Sequence, residues 1–298
     1  MTAISPPARA SRHSPCVGVC QLETASQLCL GCGRSRDEIS HWISMSEVER
    51  DDIWELIPDR LSKLSVAVRL LPWTAPELLG WIVDTIQECK GTWVTGVPGA
   101  VAELPCTGEH PATVKIAEST VVATMENAAL RVHVTDKLRA FAFAEGGPIV
   151  LGLPRTRDAF APVQSFTKLG PDTNALNPRH RAGILFDFGL GRKNARFCIR
   201  SHSPELTARL TSLCGETWAG VLSAAGATII AASPPRVVES AAARIEIFAP
   251  IPPPGGQSPA GAHSHFLPQF LEKGEEVPES LRLPGYAMQV AIFYPKRA

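Results

Sequence analysis

Four cysteines lie close together near the start of the chain, with the spacing C-x3-C-x8-C-x2-C. They are Cys16, Cys20, Cys29 and Cys32, which fall within seventeen consecutive positions. A thiolate is a soft, negatively charged ligand, so two close pairs that fold onto each other can present four sulfurs to one metal centre. The spacing therefore predicts a metal site, and it fits an iron–sulfur cluster or a zinc ion. The alternative is that these thiols are structural or form an adventitious disulfide.

The composition limits the compartment and the kinds of partner. The 298 residues include 29 Lys plus Arg and 29 Asp plus Glu, so the formal net charge is zero. This balance disfavours binding to nucleic acid or to an anionic membrane surface. No apolar run reaches the ~18 residues of a membrane span, and the N-terminus has no apolar stretch typical of a secretory signal. We therefore expect a cytoplasmic protein, where clustered cysteines favour a metal over disulfides.

Two short helices are expected after the cysteines. Ser35 with Glu38, and Ser46 with Glu49, have the spacing of capping boxes. Apolar residues follow each cap at helical spacing, and Pro58 is expected to kink or shorten the second helix. These apolar residues are Ile39, Trp42 and Ile43, then Val48, Ile53, Trp54, Ile57 and Leu61. A module of roughly 50 residues is near the lower limit for a self-sufficient core, so a bound metal would supply part of its stability.

The same stretch resembles a known bacterial family. The segments SPCVGVC, CLGCGRSRDEI, HW and MSEVER are similar to domain of unknown function 1289, whose members are described as predicted Fe–S proteins. The likeness covers roughly residues 12–62 and includes all four cysteines. Ser35 stands where the family often has Thr, and either residue can cap a helix. The resemblance implies a cysteine-bound cluster and implies no reaction.

The sequence predicts two structured parts. We expect a disordered arm over residues 1–11, the four-cysteine module over 12–65, an apolar joint over 66–75 and a larger domain over 76–298. Pro76 suits the first turn of a helix at the start of that domain.

The larger domain is expected to combine strands and helices. Short apolar segments separated by Gly and Pro predict antiparallel strands, which makes the fold class α+β. These strand segments are Ala100–Leu104, Ala112–Ile116, Val121–Met125, Ala129–Val134, Arg139–Phe143 and Ile149–Leu153. Helices are expected over Ala161–Leu169, Glu205–Leu213 and Glu216–Ala224. The remaining cysteines are expected to be buried free thiols: Cys89, Cys106, Cys198 and Cys214.

A predicted hairpin over residues 183–200 has arginines on and beside it. Arg179, Arg181, Arg196 and Arg200 would form an anion pocket, since Arg binds carboxylate or phosphate in bidentate geometry. The simpler interpretation is a solvent-exposed strand face on which Asp187 pairs with one arginine.

A second candidate metal site follows the Pro/Gly-rich loop over residues 250–262. His263 and His265 point to the same side of an extended backbone, a geometry that suits a metal. The third ligand is expected from a distant segment, with His180 and His202 as the candidates. The alternative is that the two imidazoles hydrogen-bond loop backbone or cap a helix over Phe266–Glu272.

This second part also resembles an uncharacterised bacterial domain, domain of unknown function 6925. The likeness covers about residues 75–298 and rests on PGAVAEL, HRAGILFDFGLG, ARFCIRS, RIEIFAPIPPP and GAHSHFLPQFL. Ala262 stands where a Pro is expected before the first His. The resemblance carries no known activity.

Three functions are consistent with these features. The first is a cytoplasmic metalloprotein whose four cysteines bind an iron–sulfur cluster with a redox, sensing or structural role, fused to an α+β domain that binds a protein or a small anionic ligand. The second is a zinc-knuckle adaptor for protein–protein interaction. The third is an enzyme with a His/Arg site in the C-terminal part, although no P-loop, HExxH, Ser-His-Asp or paired-carboxylate motif supports it.

Overall fold

The α+β class predicted from the sequence is confirmed. A computed structural model of the chain describes residues 14–15, 22–64, 68–109, 111–143, 147–154, 160–161, 163–191, 194–253, 260–266, 283 and 287–296. The predicted arm over residues 1–11, Cys16, Cys20 and most of the predicted Phe266–Glu272 helix lie outside these residues. No helix within the described part of the chain has the length and apolar character needed to cross a membrane.

The described residues form five α-helices and fifteen strands. The helices are α1 Arg36–His41, α2 Glu47–Lys63, α3 Ala75–Gln87, α4 Pro204–Thr211 and α5 Trp218–Ala232. The strands are β1 Arg69–Leu70, β2 Gly91–Val97, β3 Ala100–Pro105, β4 Thr113–Ala117, β5 Thr120–Thr124, β6 Ala128–His133, β7 Arg139–Ala142, β8 Ile149–Pro154, β9 Thr167–Pro171, β10 Ile184–Asp187, β11 Ala195–Ser201, β12 Arg236–Ser240, β13 Ala243–Ile247, β14 His263–Phe266 and β15 Ala287–Pro295.

Two compact units make up the chain, and each is assembled from segments that are distant in sequence. The first unit contains Met1–Ile82, Val134–Arg157 and Pro278–Ala298, and the second contains Val83–His133 and Asp158–Val277. This division into units does not test the domain limits predicted from the sequence. Those limits, including the joint over residues 66–75, stay a prediction.

In the first unit, the two N-terminal helices pack on antiparallel strands. The strands lie in the order β1-β7-β8-β15. One continuous core joins the helices to the strands, and its buried members are Trp42, Ile53, Trp54, Ile57, Leu61, Val68, Leu70, Phe141 and Ala287. The module with the cysteines therefore does not bury its apolar face alone, because strands from later in the sequence complete its core.

The capping boxes predicted for α1 and α2 are confirmed. The Ser35 and Ser46 hydroxyls accept hydrogen bonds from the N–H groups of Glu38 and Glu49, and each glutamate accepts from the backbone N–H of its serine. The helix α2 continues through Pro58 as far as Lys63, so the proline does not shorten it as expected. Ile53, Trp54, Ile57 and Leu61 are buried as the helical spacing predicts, whereas Ile43 and Val48 are exposed.

The second unit is dominated by an eight-stranded antiparallel sheet with the order β4-β5-β6-β13-β12-β11-β10-β9. The same unit contains β2, β3 and β14, in which β3 pairs with both of the others. The predicted strands in residues 100–153 are confirmed, with end points that shift by at most one residue. The predicted helices near 205–213 and 216–224 are α4 and the first part of α5.

The helix predicted over Ala161–Leu169 is wrong. Residues Thr167–Pro171 form β9, which pairs with β10 in antiparallel register. Phe166 is fully buried and stacks on Phe186 with ring centroids 5.6 Å apart. Pairing with a strand that follows later in the chain therefore overrides the local sequence preference.

Candidate metal centre

Cys29 and Cys32 lie in a tight turn that brings their sulfurs together. The N–H groups of Cys32 and Gly33 both point to the Cys29 carbonyl, at N···O distances of 3.3 and 2.7 Å. Gly33 has a φ of +66°, a left-handed conformation that glycine adopts without strain. Both cysteine side chains are buried, at 1% and 2% exposure, and they are not joined by a disulfide.

The segment after this turn connects the cysteines to α1 and α2. The Cys29 N–H donates to the Arg34 carbonyl at 2.8 Å, which closes the turn before α1 begins. Arg60 of α2 donates to the Gly33 carbonyl at 3.3 Å and pairs with Glu38 of α1 at 2.6 Å. Burial alone would raise the pKa of Glu38, but hydrogen bonds and charge from Arg60 and Ser35 hold it below its usual value. The position of the cysteine turn is therefore fixed by both helices.

Arg34 brings a positive charge to the Cys32 sulfur. Its Nε donates to the Cys32 Sγ at 3.4 Å, and the side chain is only 2% exposed. The guanidinium carbon lies 4.5 Å from the centre of the Trp42 ring, so a cation–π contact fixes its orientation. Arg36, two positions further along the chain, is exposed.

The electrostatics of the turn oppose ionisation of the Cys32 thiol when no metal is bound. Contact with the Cys29 thiol is the largest effect that raises the pKa of Cys32 far above its usual range, and burial adds to it. The positive charge of Arg34 acts in the opposite direction. Cysteine binds a metal as the thiolate, so a soft metal ion would replace the thiol protons. Its positive charge would offset the repulsion between the two buried thiolates.

Cys16 and Cys20 lie outside the described residues, so their sulfurs are not placed. The chain immediately before them is placed: Pro15 is buried, and the Ser14 carbonyl accepts a hydrogen bond from Arg139 at 3.2 Å. Ser14 and Arg139 belong to the same unit as the cysteine turn. Two contacting buried thiols with a hydrogen-bonded cation fit the donor set of a zinc ion or an iron–sulfur cluster.

The arginines of the predicted anion pocket do not share one environment. Arg200 is fully buried and binds Asp172 at 2.7 Å and Glu246 at 2.9 Å. Arg196 pairs with Glu239 at 2.8 Å, whereas Arg179 and Arg181 are exposed. The two strand arginines, Arg196 and Arg200, therefore pair with carboxylates of the protein itself and do not line an open anion pocket. The simpler interpretation also differs from the structure, since Arg200 is not on a solvated face.

Arg244 extends this buried ion-pair network within the second unit. Its guanidinium contacts Asp172, Glu239 and Glu246, all of which are buried. No local pattern in the sequence indicates these acidic partners, because Asp172 follows β9, Glu239 lies on β12 and Glu246 lies on β13. The network is a structural feature of the sheet, because a charge buried without an oppositely charged partner is strongly destabilising.

An open groove of about 770 Å³ lies beside α4 in the second unit. Its lining residues are Lys168, Ala182, Ile184, Ser201, His202, Pro204, Thr207, Ala208, Thr211 and Ser212. His202 contacts His180 there, with 3.2 Å between Nε2 and Nδ1. The two imidazoles expected to supply a distant third metal ligand thus contact each other.

His263 and His265 form part of β14, which pairs with β3. Phe266 ends that strand, so the described part of the predicted Phe266–Glu272 helix is extended. The His263 Nδ1 lies 2.9 Å from the Gly261 carbonyl, as the loop-backbone alternative expected. Burial lowers the pKa of His265, and the charge of Glu103 partly opposes that effect. Glu103 was missed from the sequence, since only the strand register places it near the imidazoles.

The remaining cysteines divide into two groups. Cys106 and Cys198 are buried thiols, as expected, and burial is the main cause that raises the pKa of each, to about 12 for Cys106. Cys214 is exposed and Cys89 is half-buried, so burial was wrongly expected for them.

The fold and the cysteine turn define an α+β protein with a thiol pair suited to a metal. Residues 77–298 match the family described as "Family of unknown function (DUF6925)", and the chain belongs to that family. Residues 14–61 match "Protein of unknown function (DUF1289)". Both resemblances noted from the sequence are therefore confirmed.

The front of the chain is also similar to curated bacterial proteins. It is 38% identical over 65 residues to the uncharacterized protein YdhL of Escherichia coli strain CFT073, which covers 22% of this chain and 81% of that protein. It is 42% identical over 51 residues to YdhL of Escherichia coli strain K12, which covers 17% of this chain and 63% of that protein. No solved structure matches the chain.

Proposed function

We propose that this chain is a metalloprotein whose Cys16, Cys20, Cys29 and Cys32 bind an iron–sulfur cluster. The observation that supports the proposal is the buried contact between Cys29 and Cys32, with Arg34 hydrogen-bonded to the Cys32 sulfur. Two further cysteines follow directly after the anchored Ser14–Pro15 segment in the same unit. Four cysteines are the usual ligand set of the common clusters.

Arg34 favours a cluster over a bare zinc ion. Hydrogen bonds to the sulfurs and exclusion of water are two means by which proteins set the potential of such a cluster. Arg34 donates to Cys32, and both Arg34 and the Trp42 ring beside it are buried, which limits the access of water. When bound, the cluster would supply one-electron chemistry, and its role would be redox, sensing or structural.

The second unit is the proposed partner-binding part of the protein. A protein or a small anionic ligand remains the expected partner, and the groove beside α4 has Lys168 in its lining. We propose the cytoplasm as the compartment, because none of the described cysteines forms a disulfide and the proposed thiolate ligands need a reducing environment.

A zinc-knuckle adaptor is the second candidate function. The observation that favours it is the exposure of two large apolar side chains close to the start of α2: Ile43, between the two helices, is 92% exposed, and Val48, in the first turn of α2, is 70% exposed. Exposed apolar residues that lie close in sequence are a property of protein-binding surfaces. In this alternative the metal holds the turn and the helices, and the apolar residues contact the partner.

Anaerobic purification followed by a visible spectrum and by iron, sulfide and zinc analysis tests the proposal. We expect a brown protein with iron and acid-labile sulfide, whose colour is lost in a Cys29→Ser/Cys32→Ser variant. The matched control is Cys89→Ser/Cys214→Ser, which removes two accessible thiols elsewhere and should keep the colour. A colourless wild-type protein with one zinc would support the adaptor, and a protein without either metal would contradict both.

A further inference from the structure

Three potential metal ligands meet on two neighbouring strands of the second unit. The register of β14 on β3 places His263 directly opposite Glu103, and His265 opposite Val101. Residues opposite each other point to the same face, and His265 lies on that face two positions further along. One ligand atom from each of Glu103, His263 and His265 lies within 4.8 Å of the other two. The pairing therefore assembles a set of three donor atoms, two imidazole nitrogens and one carboxylate oxygen, that the sequence alone does not show.

The orientation of His263 makes one ring nitrogen available as a ligand. Its Nδ1 lies 2.9 Å from the Gly261 carbonyl oxygen, which can only accept a hydrogen bond. The proton therefore resides on Nδ1, and Nε2 has the free lone pair in the neutral ring. Metal-binding histidines commonly hold their second nitrogen in this way, because the backbone contact fixes both the tautomer and the ring.

The geometry of His265 relative to Glu103 suits a shared ion better than a direct hydrogen bond. The His265 Nε2 lies 3.8 Å from the Glu103 Oε1, which is too long for a hydrogen bond. Two ligands on one zinc ion, with bonds of about 2.0–2.2 Å, are roughly 3–3.5 Å apart, so a small side-chain rotation closes the site. The His265 Nδ1 is buried and has no hydrogen-bond partner among the described residues.

Burial differs across the site and leaves one side accessible. His263 is 7% exposed, whereas the side chains of Glu103 and His265 are each 32% exposed. The imidazole rings are stacked, with centroids 5.4 Å apart and an angle of 27° between their planes, and both belong to the same strand. An ion held by these three groups would keep coordination positions open to solvent, as metal sites with three protein ligands do.

We propose that Glu103, His263 and His265 form a binding site for one divalent transition-metal ion, with its remaining positions open to water or a ligand. Two imidazoles and one carboxylate suit Zn²⁺ or Fe²⁺, whereas Mg²⁺ and Ca²⁺ need oxygen ligands. This site lies in the second unit and does not depend on the cysteine centre, which lies in the first.

Zinc titration of the chelator-treated, full-length protein by calorimetry tests the site. We expect the wild type to bind one equivalent of Zn²⁺ more than a His263→Gln/His265→Gln variant. The matched control is His180→Gln/His202→Gln, which removes two contacting imidazoles from another part of the unit and should bind as the wild type does. Equal zinc stoichiometry in all three proteins would overturn the proposal.

The absorption spectrum of the cobalt-substituted protein distinguishes this site from the cysteine site. Thiolate ligands give Co²⁺ a ligand-to-metal charge-transfer absorption, which a site of imidazoles and carboxylate lacks. We expect the histidine variant to lose only the Co²⁺ signal without thiolate character. Loss of the thiolate absorption in the histidine variant, with no other change, would assign the ion to the cysteines and overturn the proposal.

Glu103→Gln provides a test that does not rely on the buried His263. Glu103 is partly exposed, so the variant should keep the apo-protein melting temperature measured by circular dichroism. We expect its Zn²⁺ affinity at this site to fall by about 100-fold, since even outer-shell changes cost about 10–100-fold. Unchanged affinity would show that the carboxylate is not a ligand, and the three-residue site would be rejected.

Discussion

Arg34 donates from Nε to the Cys32 sulfur 3.4 Å away. The contact is buried, and the cation–π contact with Trp42 keeps the guanidinium in place. Because Arg34 comes from the turn itself, the charge that offsets the thiolates is supplied by the same short segment that holds two of the cysteines.

Removing this cation is expected to weaken the metal-loaded protein. In Arg34→Met the apolar length of the side chain is largely kept, but a hydrogen bond to a charged sulfur is lost, which costs about 2 kcal/mol. Urea unfolding of the metal-loaded protein measures the loss. Arg36→Met is the matched control: Arg36 is exposed, so its replacement should change the unfolding free energy by less than about 0.5 kcal/mol. Equal effects of the two substitutions would contradict the role of Arg34.

The two capping boxes allow a direct comparison. Glu38 and Glu49 both close a box with a serine, but only Glu38 also pairs with Arg60, at 2.6 Å. We expect Glu38→Ala to cost about 2 kcal/mol in urea unfolding and Glu49→Ala to cost clearly less, because only the change at Glu38 also releases Arg60 from α1. If both variants lost the same stability, the contact between α1 and α2 through Arg60 would contribute nothing.

The buried network around Arg200 predicts a large loss of stability on truncation. In Arg200→Met the carboxylates of Asp172 and Glu246 lose a partner inside the sheet, which costs about 3–5 kcal/mol. Arg179→Met changes an exposed side chain and should cost less than about 0.5 kcal/mol. Chemical unfolding of both variants gives the comparison. A small effect of Arg200→Met would show that the ion pairs are not needed for the fold.

Asp187 predicts an unusual dependence of stability on pH. Burial raises the pKa of its carboxyl from 3.8 to about 6, against the hydrogen bond from the Gly189 N–H and the charge of Arg196. The folded state therefore binds more protons than the unfolded state between these values, and stability falls as pH rises through this window. Above about pH 6 the loss is complete and constant.

The Asp187→Asn variant isolates this effect. The amide oxygen can still accept from the Gly189 N–H, which lies 2.9 Å from Oδ1, but it does not titrate. Between about pH 4 and about pH 7 the wild type should lose about 2–3 kcal/mol of unfolding free energy relative to the variant. A wild type that gains stability relative to Asp187→Asn over this range would mean that the pKa is lowered.

Local signals in the sequence predicted the elements that depend on local interactions. Ser35 and Ser46 marked the starts of α1 and α2, because a capping box involves residues only three positions apart. The hairpin of β10 and β11 was likewise predicted, over residues 183–200, because its two strands lie close together in the sequence.

Features that depend on distant pairing were not predictable in this way. Residues Thr167–Pro171 form a strand because β10 pairs with them. Arg200 is buried because Asp172 and Glu246, 28 and 46 residues away, converge on it. Glu103 is placed beside the histidines only by the register of β3 and β14. Spacing in the sequence contains no information on any of these three relationships.

X-ray absorption at the metal edge of the anaerobically purified protein tests the central claim, that cysteine sulfurs converge on one metal centre. We expect a nearest shell made only of sulfur, and partial replacement of that shell by oxygen in a Cys16→Ser/Cys20→Ser variant. The Cys89→Ser/Cys214→Ser control should keep the wild-type spectrum. A nearest shell of nitrogen and oxygen in the wild type, or a sulfur shell unchanged in Cys16→Ser/Cys20→Ser, would contradict the four-cysteine site.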